Sequence, residues 1–94
     1  MPDPAPERAQ ALDALVDSLL AQSVPGADID AVIAQLRSQA ETMALEELGL
    51  ESLGLMEVCL HLELDHGVPL TPDDVLLMKS VRELLDAISA HQRR

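Results

Sequence analysis

Ser52 is the residue whose surroundings most invite chemistry. It follows Leu48-Gly49-Leu50-Glu51 and precedes Leu53-Gly54-Leu55-Met56-Glu57. That places it behind an acid and a loop glycine, at the mouth of a strongly apolar helix. A serine there can cap the helix by accepting a hydrogen bond from a first-turn N–H, or it can hold its hydroxyl out for modification. Position 55 is Leu, so no capping box is completed. A phosphate ester on Ser52 would meet free N–H groups and the positive end of the helix dipole, where an anion gains about 0.3–1 kcal/mol. Gly49 and Gly54 on either side are expected to keep the approach uncrowded.

The other reactive side chains form no constellation in the sequence. Cys59 is the only cysteine, so no internal disulfide exists, and its apolar neighbours predict a buried, inert thiol. His61 and His66 are five apart on a helix and share a face poorly. Neither they nor His91 show a metal-ligand spacing with Cys59 or a carboxylate, so no metal ligand is assigned. A serine hydrolase would need glycine two residues before the nucleophile, and Leu50 stands there. Glycine-rich phosphate loops are absent. No catalytic residue is assigned, and the chain is not expected to be an enzyme.

Short helices must position Ser52. Pro6 suits a first helical turn, and Leu12, Leu15, Val16, Leu19 and Leu20 form an amphipathic stripe ended by Val24-Pro25-Gly26. Asp28 can cap a second segment carrying Ile29, Val32, Ile33 and Leu36. Residues 43–51 read as a loop with at most one helical turn. A helix is predicted over 52–66, stopped by Gly67. Thr71-Pro72-Asp73-Asp74 starts a short helix through about Met78. Ser80-Val81-Arg82-Glu83 matches a capping box, and Val81, Leu84, Leu85 and Ile88 face inward to about His91. No segment alternates as a strand would. The expected fold is all-α: a small four-helix bundle with room for an extra short helix in its first long loop. Residues 1–6 are expected to be flexible, 7–91 to form one domain, and 92–94 to be a tail.

The helix after Ser52 carries two apolar stripes at 100° per residue. Leu55, Val58, Cys59 and Leu62 form the natural core face. Leu53, Met56, Leu60 and Leu64 fall nearly opposite, flanked by Glu57 and Glu63. A helix packed on one side needs one stripe. The second is therefore expected to be an exposed docking surface, although a central helix would bury both.

Composition narrows the partners. The net charge is −11, and there is no Lys or Arg from Ser38 to Met78. Such a field repels nucleic acid and anionic lipid and draws in basic protein surfaces. There is no Phe, Tyr or Trp, so the core must be built from Leu, Ile, Val, Met and Ala. With no signal peptide and no membrane-spanning run, a cytoplasmic monomer is expected.

The ordered motifs resemble the acyl carrier protein family. That family places an acidic residue, serine and leucine after a loop glycine at the start of the second of four helices, as Gly49-Leu50-Glu51-Ser52-Leu53 does. Glu57 falls where the family has its recognition glutamate. Gly67-Val68-Pro69-Leu70, Thr71-Pro72-Asp73-Asp74 and Ser80-Val81-Arg82-Glu83-Leu84 follow with the family's spacing, and the resemblance covers about residues 43–91. It implies that Ser52 carries a 4′-phosphopantetheine arm taken from coenzyme A by a phosphopantetheinyl transferase. The arm's thiol would hold acyl groups as thioesters, loaded by an acyltransferase or ligase and passed to a ketosynthase or other acyl-transferring enzymes with basic docking surfaces. Glu51, Leu53, Met56, Glu57, Leu60 and Glu63 would be the contact residues, and an aromatic-free core could open for an acyl chain.

The chain departs from the family pattern at several positions. Glu51 replaces the usual aspartate. Gly54 and Leu55 replace residues that are acidic and polar in fatty-acid carriers. His66 stands where many members bury phenylalanine. Leu50 resembles polyketide carriers more than peptidyl carriers, which prefer glycine there. The expectation is a discrete carrier, read from its own Met1 and length, for a specialised polyketide or hybrid pathway. The alternatives are an aminoacyl or peptidyl carrier and a cofactor-free acidic helical adaptor.

Overall fold

The computed structural model describes residues 6–23 and 28–92. Five α-helices run in the order α1 (Pro6–Leu20), α2 (Ile29–Gln39), α3 (Ser52–His66), α4 (Pro72–Leu76) and α5 (Val81–Gln92), with 3₁₀ turns at Ala40–Thr42 and Leu45–Leu48. Among the described residues there is no strand, only an isolated antiparallel bridge between Ala44 and Ser80. The all-α expectation holds: four helices of seven or more residues and one short one make a small bundle. Of the expected flexible N-terminus only Pro6 is described, and it opens α1. Gln92 closes α5, and the other tail residues lie outside the described part, as does the Val24-Pro25-Gly26 stop.

The first loop holds more helix than the short insert expected. α2 has eleven residues, against five in α4, which ends two residues before Met78. Asp28 precedes α2 as predicted, yet its side chain makes no capping bond. Its backbone (φ −103°, ψ 27°) is outside the extended region that aims a cap side chain at the first turn. α4 and α5 are capped as the sequence indicated. Thr71 Oγ1 accepts from Asp74 N–H at 3.1 Å, and Thr71 N–H donates to Asp74 Oδ2 at 3.0 Å. Ser80 Oγ accepts from Glu83 N–H at 3.2 Å, and Ser80 N–H donates to Glu83 Oε2 at 2.9 Å. Gly67, at φ +69°, ends α3 in the left-handed region where a side chain would be strained.

α1 packs against both α3 and α5. Leu15 and Leu19 of α1, Leu36 of α2, Met43, Leu62 of α3, and Leu84, Leu85 and Ile88 of α5 are fully buried. From α2 only Leu36 is buried, while Ile29, Val32 and Ile33 pack partly against the core. Leu20, read as part of the α1 stripe, is exposed instead. Two main-chain bonds tie the linker before α3 to the start of α5 and the residues just before it: Leu45 N–H to Lys79 O at 3.0 Å, and Val81 N–H to Met43 O at 3.1 Å. The approach to Ser52 is therefore anchored to the far end of the chain.

Candidate functional site

The loop that delivers Ser52 is fixed from several directions. Leu48 is buried. Glu47 accepts from Ala44 N–H at 2.6 Å and from Gln35 Nε2 of α2 at 3.0 Å. Gly49 then turns the chain at φ +66°, a conformation that costs other residues about 1–2 kcal/mol. Leu50 packs partly against the core, and Glu51 returns to extended backbone.

Glu51, not Ser52, is the N-cap of α3; Ser52 is its first helical residue. The plain-cap reading of Ser52 thus fails on geometry. The first intrahelical bond is Leu55 N–H to Glu51 O at 2.8 Å, so the N–H groups of Ser52, Leu53 and Gly54 precede the ladder. Ser52 is exposed, and its hydroxyl makes no hydrogen bond among the described residues. Gly54 also accommodates a neighbouring side chain. A methyl group there would meet Gln22 Oε1 at 2.5 Å, so the glycine makes room for the Gln22 side chain, two residues past α1. A cavity of about 280 Å³ lies beside this loop, bounded by Gln22, Ile29, Val32 and Leu50 among others. The larger cavity, about 480 Å³, is at the other end of α3, around His66, Pro69 and His91.

α3 buries one of its two stripes. Leu55, Val58, Cys59 and Leu62 are in the core, while Leu53, Met56 and Leu60 are 53–60% exposed and Leu64 is 72% exposed. Glu51 and Glu63 are exposed as well. Glu57 is half-buried, because Ser23 N–H and Ser23 Oγ both donate to its carboxylate. Sequence patterning had no means of finding this contact, since nothing in the spacing of residues 34 apart announces it. Leu76 and Leu77, at the end of α4, are also exposed.

Cys59 is buried, and desolvation followed by the negative charge of Asp74 pushes its thiol up to about 11. It is no nucleophile at neutral pH. His61 and His66 correct the sequence reading. Both point Nε2 at the same oxygen, Asp17 Oδ2 of α1, at 2.8 and 2.9 Å, with their rings edge to face at 5.4 Å. These hydrogen bonds hold the Asp17 carboxyl below its usual range.

A family model described as "Phosphopantetheine attachment site" matches residues 26–88, which is more than half of the chain. The chain belongs to that family. No curated protein and no solved structure gives a significant match. The match spans α2, α3, α4 and all but the end of α5, and leaves α1 outside. Members of the phosphopantetheine attachment family are carriers to which 4′-phosphopantetheine is covalently joined, and that is the cofactor of this protein. Carrier domains of this family work with a phosphopantetheinyl transferase and with acyl-handling enzymes, and act as substrate carriers rather than catalysts.

Proposed function

We propose that Ser52 is the attachment residue, and that the protein is a cytoplasmic acyl carrier of a polyketide-type or hybrid pathway. One observation carries the assignment of the serine. Within the matched span, Ser38 Oγ bonds Ala34 O, Thr42 Oγ1 bonds Gln39 O, and Thr71 and Ser80 cap α4 and α5. Ser52 is the hydroxyl of that span left without such a bond among the described residues. It is also exposed and its own N–H, with those of Leu53 and Gly54, is one of three that the helix does not use, where the phosphodiester would be stabilised.

The face formed by Leu53, Met56 and Leu60, with Glu51, Glu57 and Glu63 around it, supports docking to a partner whose basic residues rim an apolar groove. Leu50 favours acyl over aminoacyl cargo only through its resemblance to polyketide carriers; its side chain packs partly against the core.

The test is incubation with coenzyme A, Mg²⁺ and a broad-specificity transferase, followed by intact mass. The wild type should gain one phosphopantetheine, with the arm mapped to the peptide containing Ser52. Gain of an equal mass by Ser52→Ala would defeat the assignment. An intact-mass spectrum of the protein from its own host reports the chain's size, the arm and the cargo together. Loading by an adenylating amino-acid ligase alone would favour the aminoacyl reading.

A further inference from the structure

We propose that Asp17, His61 and His66 form a binding site for a divalent transition-metal ion of the zinc type, which staples α1 to the C-terminal half of α3. The three ligand atoms, Asp17 Oδ2 and the two Nε2 atoms, all lie within 4.8 Å of one another. Ligands about 2.0–2.1 Å from a tetrahedral ion sit about 3.4 Å apart. The two imidazole–carboxylate distances of 2.8 and 2.9 Å therefore need to open only slightly. Asp17, whose side chain is 58% exposed, is free to make that movement, while the two rings are 20% and 25% exposed and held.

A second observation points to an ion. His61 Nδ1 lies 3.0 Å from Asp65 Oδ2, so both ring nitrogens of His61 face carboxylate oxygens. A neutral imidazole has one N–H. With an ion bound, that N–H would go to Asp65 and the Nε2 lone pair to the ion, replacing the hydrogen bond that His61 Nε2 makes to Asp17 in its absence. A histidine whose far nitrogen is held by a carboxylate while the near one is free to ligate is the arrangement found around bound metals. Two imidazoles with one carboxylate suit Zn²⁺, Co²⁺, Ni²⁺ or Cu²⁺ rather than Mg²⁺ or Ca²⁺. The exposed side of Asp17 leaves room for water to complete the coordination, and the net charge of −11 raises the local cation concentration.

The position argues for a structural ion. At about 1.5 Å per residue, His61 and His66 lie about 14 and 21 Å along α3 from Ser52, so the ion would brace the helix without touching its N-terminal turn. It is also independent of which serine bears the arm.

The experiment uses the untagged full-length protein, confirmed by intact mass to carry no arm so that no arm thiol competes. Zn²⁺ is titrated by calorimetry and Co²⁺ by visible absorption. The expected result is one ion per chain, with ligand-field bands for Co²⁺, a melting temperature that rises with Zn²⁺, and no competition from an equal concentration of Mg²⁺. His61→Gln and His66→Gln should each abolish the bands, and Asp65→Asn should weaken binding about 10–100-fold. Absence of saturable Zn²⁺ binding by the wild type overturns the proposal. So does equal Zn²⁺ affinity in the His61→Gln/His66→Gln double variant, shown to be helical by circular dichroism, since the ion would then sit on the general acidic surface.

Discussion

Ser23 donates both its backbone N–H, at 3.1 Å, and its hydroxyl to the carboxylate of Glu57. The acid at the centre of the proposed docking face therefore also braces the end of α1 against α3. A partner that engages Glu57 must share it with Ser23 or displace it.

The two roles separate by mutation. Ser23→Ala should cost stability only, about 1 kcal/mol or less because the contact is exposed to solvent, and should leave transferase docking intact. Glu57→Arg should cost a similar amount of stability and weaken docking in addition. Urea unfolding midpoints and the transferase KM distinguish the two outcomes.

The stripes of α3 should respond in opposite ways. Met56→Glu or Leu60→Glu changes a side chain that is 53% exposed, so KM for partner enzymes should rise while the melting temperature stays nearly constant. Leu62→Ala empties a fully buried position and should cost about 2–5 kcal/mol. A large fall in melting temperature for Met56→Glu would mean that the second stripe is core.

The capping carboxylates set an acid limit. Backbone and hydroxyl bonds from Thr71 hold Asp74 below its ordinary 3.8, and backbone bonds from Lys79 and Ser80 hold Glu83 below its ordinary 4.5. A lowered folded-state value means that the unfolded chain takes up protons first as pH falls. The stabilisation is thus complete above those ordinary values and is lost on acidification through the lower folded ones. Unfolding followed by circular dichroism should show this fall, and Asp74→Asn should flatten it.

Cys59 sets an alkaline limit with the opposite sign. Its thiol is raised from 9.0 to about 11, so the folded chain holds its proton longer than the unfolded one. That contribution is intact below pH 9 and disappears as pH rises towards 11. Alkylation by iodoacetamide should be slow in the native protein at pH 8 and fast in urea. Fast native labelling would contradict the burial.

The helix starts and stops were legible because they depend on local chemistry. Thr71 and Ser80 cap through residues three positions away, and Gly67 stops α3 through its own backbone freedom. The span of α3, 52–66, was read as it stands; what the sequence left open was the cap, because Glu51 caps with its backbone alone and leaves no side-chain signature. The contact of Gly54 with Gln22 was not legible, because Gln22 comes from the segment just after α1, 32 residues away.

By itself the sequence determined that α3 carries two opposed apolar stripes behind a serine, since a 3.6-residue period is a property of the chain. Tertiary structure decided which stripe is buried. α1 supplies Leu15 and Leu19, and α5 supplies Leu84, Leu85 and Ile88. α1 packs against α3 and α5 in turn against α1, so the Leu55–Leu62 side joins their common core, while Leu53, Met56, Leu60 and Leu64 stay exposed. It also decided the meeting of His61 and His66 on Asp17, across 44 and 49 residues. Five residues of helix turn two side chains about 140° apart, and only a third group from a packed neighbour draws them to one point.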